Sequence, residues 1–86
     1  IDLTELPVST KSNTINLYGD IKDNDGIELI SVYLGDDKVV LLPSTKTNVP
    51  LSVDLTLEEN INLITIIAKD SKGLLSKQSF VVRKEG

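Results

Sequence analysis

Residues 57–73 form the stretch that decides the fold, and they read LEENINLITIIAKDSKG. Asn and Glu residues open this stretch, a β-branched run fills its middle, and Asp-x-x-Gly closes it, which is the pattern of one long strand between two turns. Its apolar residues fall on both faces, with Ile64, Ile66 and Ala68 on one and Leu63 and Ile67 on the other. We therefore expect a central strand that is covered on both sides.

The other segments alternate apolar and polar residues at the period of a strand, and none shows the sustained periodicity and caps of a helix. We predict strands at 1–6, broken at Pro7, and at 13–21, 27–34, 39–42, 51–57 and 74–83. Short strands separated by turns predict an all-β fold, an antiparallel immunoglobulin-like two-sheet sandwich of about seven strands with Greek-key connections. A small barrel of the OB type is the alternative.

The composition fits one small domain that spans residues 1–86. Hydrophobic residues make up 40% of the chain, yet it has only two Tyr, one Phe and no Trp, so the core must consist of Ile, Leu and Val. Such a core suits a pleated sheet. Because position 1 is Ile rather than Met, we expect the domain to be a module of a larger multidomain protein.

Several classes of function are disfavoured by what the sequence lacks. The chain contains no cysteine and no histidine, which removes thiolate metal sites, the commonest general base and the commonest zinc ligand. The net charge of −4 repels phosphate backbones, so we expect no nucleic-acid partner. No apolar run approaches the ~20 residues that span a bilayer, so we expect no direct membrane insertion.

Three strings of residues carry a family resemblance. They are Gly19-x-Ile21-x-Asp23-x-x-Gly26-Ile27, Val32-Tyr33-Leu34-Gly35, and Leu57-x-x-Asn60-x-Asn62-x-Ile64-x-Ile66-x-Ala68-x-Asp70-x-x-Gly73. Together they resemble the bacterial immunoglobulin-like module of the glucodextranase domain B type, although that family usually has glycine where Asn60 stands. Residues 80–86, FVVRKEG, are similar to the end of the C-terminal module of bacterial carboxyl-terminal processing peptidases.

The resemblance implies a noncatalytic accessory module that spaces, docks or orients a neighbouring domain in a bacterial periplasmic, cell-envelope or secreted protein. That neighbour would be a carboxyl-terminal processing serine peptidase. Parity along the strands places Tyr33, Leu63, Ile67 and Val81 on one outward face, and we expect this apolar patch to contact other domains of the parent protein. A self-associating adhesin-type module and a carbohydrate-binding module remain the alternatives.

Acidic residues in two predicted turns suggest a calcium site, with Asp20, Asp23, Asp25 and Asp70 as the candidate ligands. The spacing is not that of an EF-hand: with Asp23 as the first ligand, the twelfth position is Leu34 instead of a bidentate Glu. Asp and Asn in solvated turns account for the same residues. We therefore expect no metal and no cofactor.

Sugar binding and catalysis find little support among the residues. Tyr18 and Tyr33 are the only tyrosines that could stack on a sugar, and we expect them on opposite sides of the sandwich. The carboxylates at 36–37 and 58–59 are adjacent pairs, which diverge in a turn, whereas glycosidase carboxylates face each other across the substrate. We expect the module itself not to be an enzyme.

Overall fold

Every secondary-structure element that the computed structural model describes, over residues 2–3, 9–58 and 60–85, is a β-strand. The strands are β1 (Asp2–Leu3), β2 (Ser9–Thr10), β3 (Thr14–Lys22), β4 (Ile27–Leu34), β5 (Asp37–Pro43), β6 (Asn48–Thr56), β7 (Ile61–Asp70) and β8 (Leu75–Lys84). The all-β prediction is confirmed. None of these residues forms a helix with the length and apolarity needed to cross a lipid bilayer.

The strands form two sheets. The smaller sheet has the order β1-β3-β6 and the larger has the order β2-β8-β7-β4-β5. Because consecutive strands cross from one sheet to the other between β3 and β4, β5 and β6, and β6 and β7, the architecture is the predicted immunoglobulin-like two-sheet sandwich.

One pair departs from the antiparallel pattern of the sandwich, because the two-residue strand β2 pairs with β8 in parallel. β1 belongs to the smaller sheet and β2 to the larger one. Pro7, where we predicted a break, lies outside the described residues.

The core lies between the inward-facing residues of the two sheets. Its buried members are aliphatic, as the composition predicts: Ile15, Leu17, Ile21, Ile27, Ile30, Val32, Leu51, Leu55, Leu57, Ile64, Ile66, Ala68 and Val82. Phe80 is partly buried and packs against this cluster. Each large side chain that is fully removed from water contributes roughly 1.5–3 kcal/mol.

One core residue departs from simple alternation. Ile27 is buried although the inward residues that follow it on β4 are the even-numbered Ile30 and Val32. The pairing of β4 with β7 shifts register between Ile27 and Leu29. This irregularity changes which face of the sheet the side chains before and after it point to. The sequence pattern alone gives no sign of it.

The structure corrects the prediction that β7 is covered on both faces. β7 lies between β8 and β4, so its central position is confirmed, and its inner face is buried throughout. On the other face, Ile61 is 58% exposed and Leu63 is 45% exposed. No described layer packs over these residues, because the second sheet covers only the inner face of β7.

The two long edge strands among the described residues, β5 and β6, each contain a proline. β6 begins at Asn48, three residues before the predicted strand, and includes Pro50, while β5 ends at Pro43. Both strands lie at the edge of their sheet, where the missing N–H of proline costs no ladder hydrogen bond. The prolines therefore limit pairing with a foreign strand at either edge.

Candidate functional site

The face of the larger sheet that points away from the smaller sheet, called the outer face below, contains all four residues predicted to contact a partner. Leu63 of β7 lies directly opposite Val81 of β8. Tyr33 of β4 lies opposite Thr65, and Ile67 lies opposite Ser31. The register therefore brings Tyr33, Leu63, Ile67 and Val81 onto one surface, and their role as contacts stays a prediction.

This surface is apolar and open to solvent. Val81 is 58% exposed and Leu63 is 45% exposed, while Tyr33 and Ile67 are half-buried. Sequence reasoning missed further exposed apolar residues on the same face, namely Ile61, Leu41 and Leu75. The signal for Ile61 was available, since it shares the odd-numbered parity of Leu63 and Ile67 along β7.

Hydroxyl groups occupy the middle of the outer face. Ser31 and Thr65 point outward yet are buried, because larger side chains on the neighbouring strands cover these short ones. The hydroxyls of Thr65 and Ser79, on adjacent strands, lie 3.3 Å apart and share a hydrogen bond. The centre of the face is therefore compact, and the hydroxyls of Thr65 and Ser79 are already paired with each other.

Four cationic residues surround this centre and are called the cation ring below: Lys38, Lys69, Lys77 and Arg83. Lys38 lies opposite Tyr33 across the β4–β5 pair, and its ammonium is 5.6 Å from the centre of the Tyr33 ring, which is cation–π geometry. Two carboxylates approach the ring: Glu28 Oε2 lies 3.7 Å from Lys69 Nζ, and Glu85 Oε1 lies 3.9 Å from Arg83 Nη2.

The acidic side chains concentrate instead at the ends of the sandwich. At one end, carboxylate oxygens of Asp23, Asp25 and Asp70 lie within 4.8 Å of one another. This group, drawn from the described residues, does not include Asp20, which lies on β3 opposite Pro50. The structure thus assembles three of the four candidate calcium ligands.

Hydrogen bonds within the two turns account for the Asp23 and Asp70 carboxylates, and an ion pair accounts for that of Asp25. Asp23 Oδ1 accepts the N–H of Asp25 at 2.8 Å, and Asp70 Oδ1 accepts the N–H groups of Lys72 and Leu74 at 2.9 and 2.8 Å. The Lys72 ammonium lies 3.2 Å from Asp25 Oδ1. Asp side chains commonly close turns with such bonds to backbone N–H groups, so these bonds and the ion pair explain the cluster without a metal ion.

The opposite end carries a second acidic region. A cavity of about 280 Å³ is lined there by Leu34, Gly35, Asp36, Asp37, Glu58, Ile61, Asn62 and Leu63. Asp36, Asp37 and Glu58 are exposed, and Glu59 lies outside the described residues. Because this cavity adjoins Leu63, the apolar outer face ends in a negatively charged margin.

The two tyrosines lie on different sheets, as expected. Tyr18 is on β3 of the smaller sheet and is 51% exposed, whereas Tyr33 is on β4 of the larger sheet. They cannot stack on one sugar chain. The geometry gives no support to a carbohydrate platform made of both rings.

Comparison of the chain with protein-family models, with curated proteins and with solved structures found no match. The resemblance to the glucodextranase-type module and to the peptidase C-terminal module therefore stays a prediction.

Proposed function

We propose that this chain is a noncatalytic accessory module that docks and orients a neighbouring domain through the outer face of its larger sheet. The observation that carries the proposal is the open apolar surface around Leu63 and Val81, which β7 and β8 hold side by side. Contiguous exposed apolar residues with a polar rim are typical of surfaces that another protein covers.

The setting of the module follows from the resemblance alone. The resemblance implies that the module belongs to a larger bacterial protein of the periplasm, the cell envelope or the secreted fraction. It also implies that the neighbouring domain is a carboxyl-terminal processing serine peptidase. In that setting, any catalytic nucleophile belongs to the neighbour. Self-association is the second candidate, because the same apolar face could be covered by another copy of the chain.

Cysteine labelling tests whether the outer face is covered, because the natural chain contains no cysteine. Leu63→Cys places a thiol on the outer face, and Tyr18→Cys places one on the opposite sheet at similar exposure. Each variant is labelled with a maleimide in the isolated chain and in the longer protein that contains it.

Docking predicts that the thiol of Leu63→Cys reacts roughly tenfold or more slowly in the longer protein than in the isolated chain, which corresponds to a docking free energy of about 1.4 kcal/mol or more. The thiol of Tyr18→Cys should react at the same rate in both. Equal rates for Leu63→Cys would contradict docking. Protection that appears in the isolated chain and grows with its concentration would favour self-association instead.

A further inference from the structure

The charges of this chain are segregated, and the segregation concerns the face that we propose for docking. The cation ring holds four of the nine Lys and Arg residues of the chain. With the two carboxylates that approach it, the ring has a net of two positive charges, in a chain whose net charge is −4. The remainder of the molecule is therefore strongly acidic. The acidic margin of Asp36, Asp37 and Glu58 adjoins the outer face only at its Leu63 end.

From this segregation we infer that the outer face binds an acidic protein surface, one with an apolar centre bordered by carboxylates. The inference rests on the proposed docking function and names the chemistry of the partner. Opposite potentials on two surfaces steer their encounter and fix their orientation. The apolar centre around Leu63 and Val81 supplies contact area, and the ring selects a negatively charged rim.

Two members of the cation ring are available to form a new ion pair. Lys69 and Arg83 each have a carboxylate within 4 Å, whereas Lys38 and Lys77 form no ion pair with any described residue. Both project from the outer face, one on either side of its centre, from β5 and β8. A partner carboxylate could therefore pair with either ammonium without displacing an existing ion pair.

The ring also argues against other occupants. A second copy that stacked its own outer face here by two-fold symmetry would set one cation ring against another, which is repulsive. Nucleic acid and anionic lipid offer negative charge, but the acidic remainder of the chain repels both. The exposed aliphatic side chains Ile61, Leu63 and Val81 gain most from an apolar protein surface.

The test measures how far the Leu63→Cys thiol is protected from maleimide in the longer protein. The measurement is made with and without the double change Lys38→Gln and Lys77→Gln, called the ring variant. These changes remove charge from the ring but leave the thiol at position 63 and its apolar neighbours unchanged. Lys22→Gln with Lys46→Gln is the matched control, because Lys22 lies on the smaller sheet and Lys46 lies in the connection between β5 and β6. We expect the ring variant to reduce protection roughly three- to tenfold and the control to change it less than twofold.

Salt gives an independent measurement, since raising ionic strength from 0.1 to 1 M shortens the Debye length from ~10 to ~3 Å. Protection should fall with salt in the natural ring and respond much less in the ring variant. Protection that is strong but insensitive to salt and to both ring substitutions would overturn the acidic partner while docking stands. No protection in the longer protein, or protection only on adding vesicles of phosphatidylglycerol, would overturn both proposals.

Discussion

Leu63 and Ile64 are neighbours on β7, and the same substitution at each should give opposite outcomes. Leu63 points to the outer face and is 45% exposed, while the side chain of Ile64 is completely buried against the smaller sheet. Leu63→Asp and Ile64→Asp therefore make the same chemical change, an aliphatic side chain to a carboxylate, in one strand. Only the face differs.

The structure sets the size of each effect. Leu63 has about half of its side chain in contact with protein, so Asp forfeits roughly 1 kcal/mol of apolar burial and up to about 1 kcal/mol of strand preference. Ile64→Asp forfeits the full ~1.5–3 kcal/mol and adds the cost of several kcal/mol for a carboxyl group that has no partner in the core. A domain of 86 residues has a total stability of only about 4–13 kcal/mol.

We therefore expect Leu63→Asp to fold with a urea midpoint lowered by about 1–2 M, and Ile64→Asp to be largely unfolded without denaturant. Circular dichroism during a urea titration of each variant measures this. Equal loss of stability in the two variants would refute the reasoning, because it would mean that the outer face belongs to the core. A stable Ile64→Asp variant would refute the assignment of the inner face.

Further predictions concern the turns that hold Asp23, Asp25 and Asp70, and thermal melts measure all of them. Gly26→Ala should lower the free energy of unfolding by about 1–2 kcal/mol, because Gly26 has φ of 91° and only strain, not a clash, opposes a side chain there. Asp70→Ala should cost about 1–3 kcal/mol by removing the acceptor of the Lys72 and Leu74 N–H groups, whereas Asp70→Asn keeps an acceptor and should cost less than half as much. Millimolar calcium should raise the melting temperature by less than about 2 °C, and a shift of many degrees would show that the three carboxylates bind the ion.

Most of the fold could be predicted because the chain alternates regularly where one face is buried. The alternation around Leu55 and Ile30 predicted the sides that these residues take, and the turn at Gly26 predicted the reversal before β4. The predictions that failed concern features that depend on contacts between residues distant in sequence. The pattern of β7 shows that apolar residues lie on both faces, but it cannot show whether a second layer covers Leu63.

The candidate site was predictable only in part, for a related reason. Parity within one strand placed Leu63 and Ile67 together, but the position of Lys38 beside Tyr33 follows from pairing between β4 and β5 and from an irregularity in it. The cation ring consists of four residues from three strands, β5, β7 and β8. No pattern within a single strand predicts it. Asp70 likewise meets Asp23 only because two turns close at the same end of the sandwich.

The parallel contact between β2 and β8 determines how this fold responds to pulling. Ser9 and Thr10 run alongside Arg83 and Lys84, and the N–H of Glu85 continues the contact to the carbonyl of Thr10 at 2.7 Å. A force that draws the two ends of the chain apart moves parallel strands in opposite directions along their length, so it loads these bonds together in shear rather than opening them one by one. Tension along the polypeptide would therefore be resisted at this edge, as well as at the pair of β1 with β3, before it reaches the hydrophobic interior.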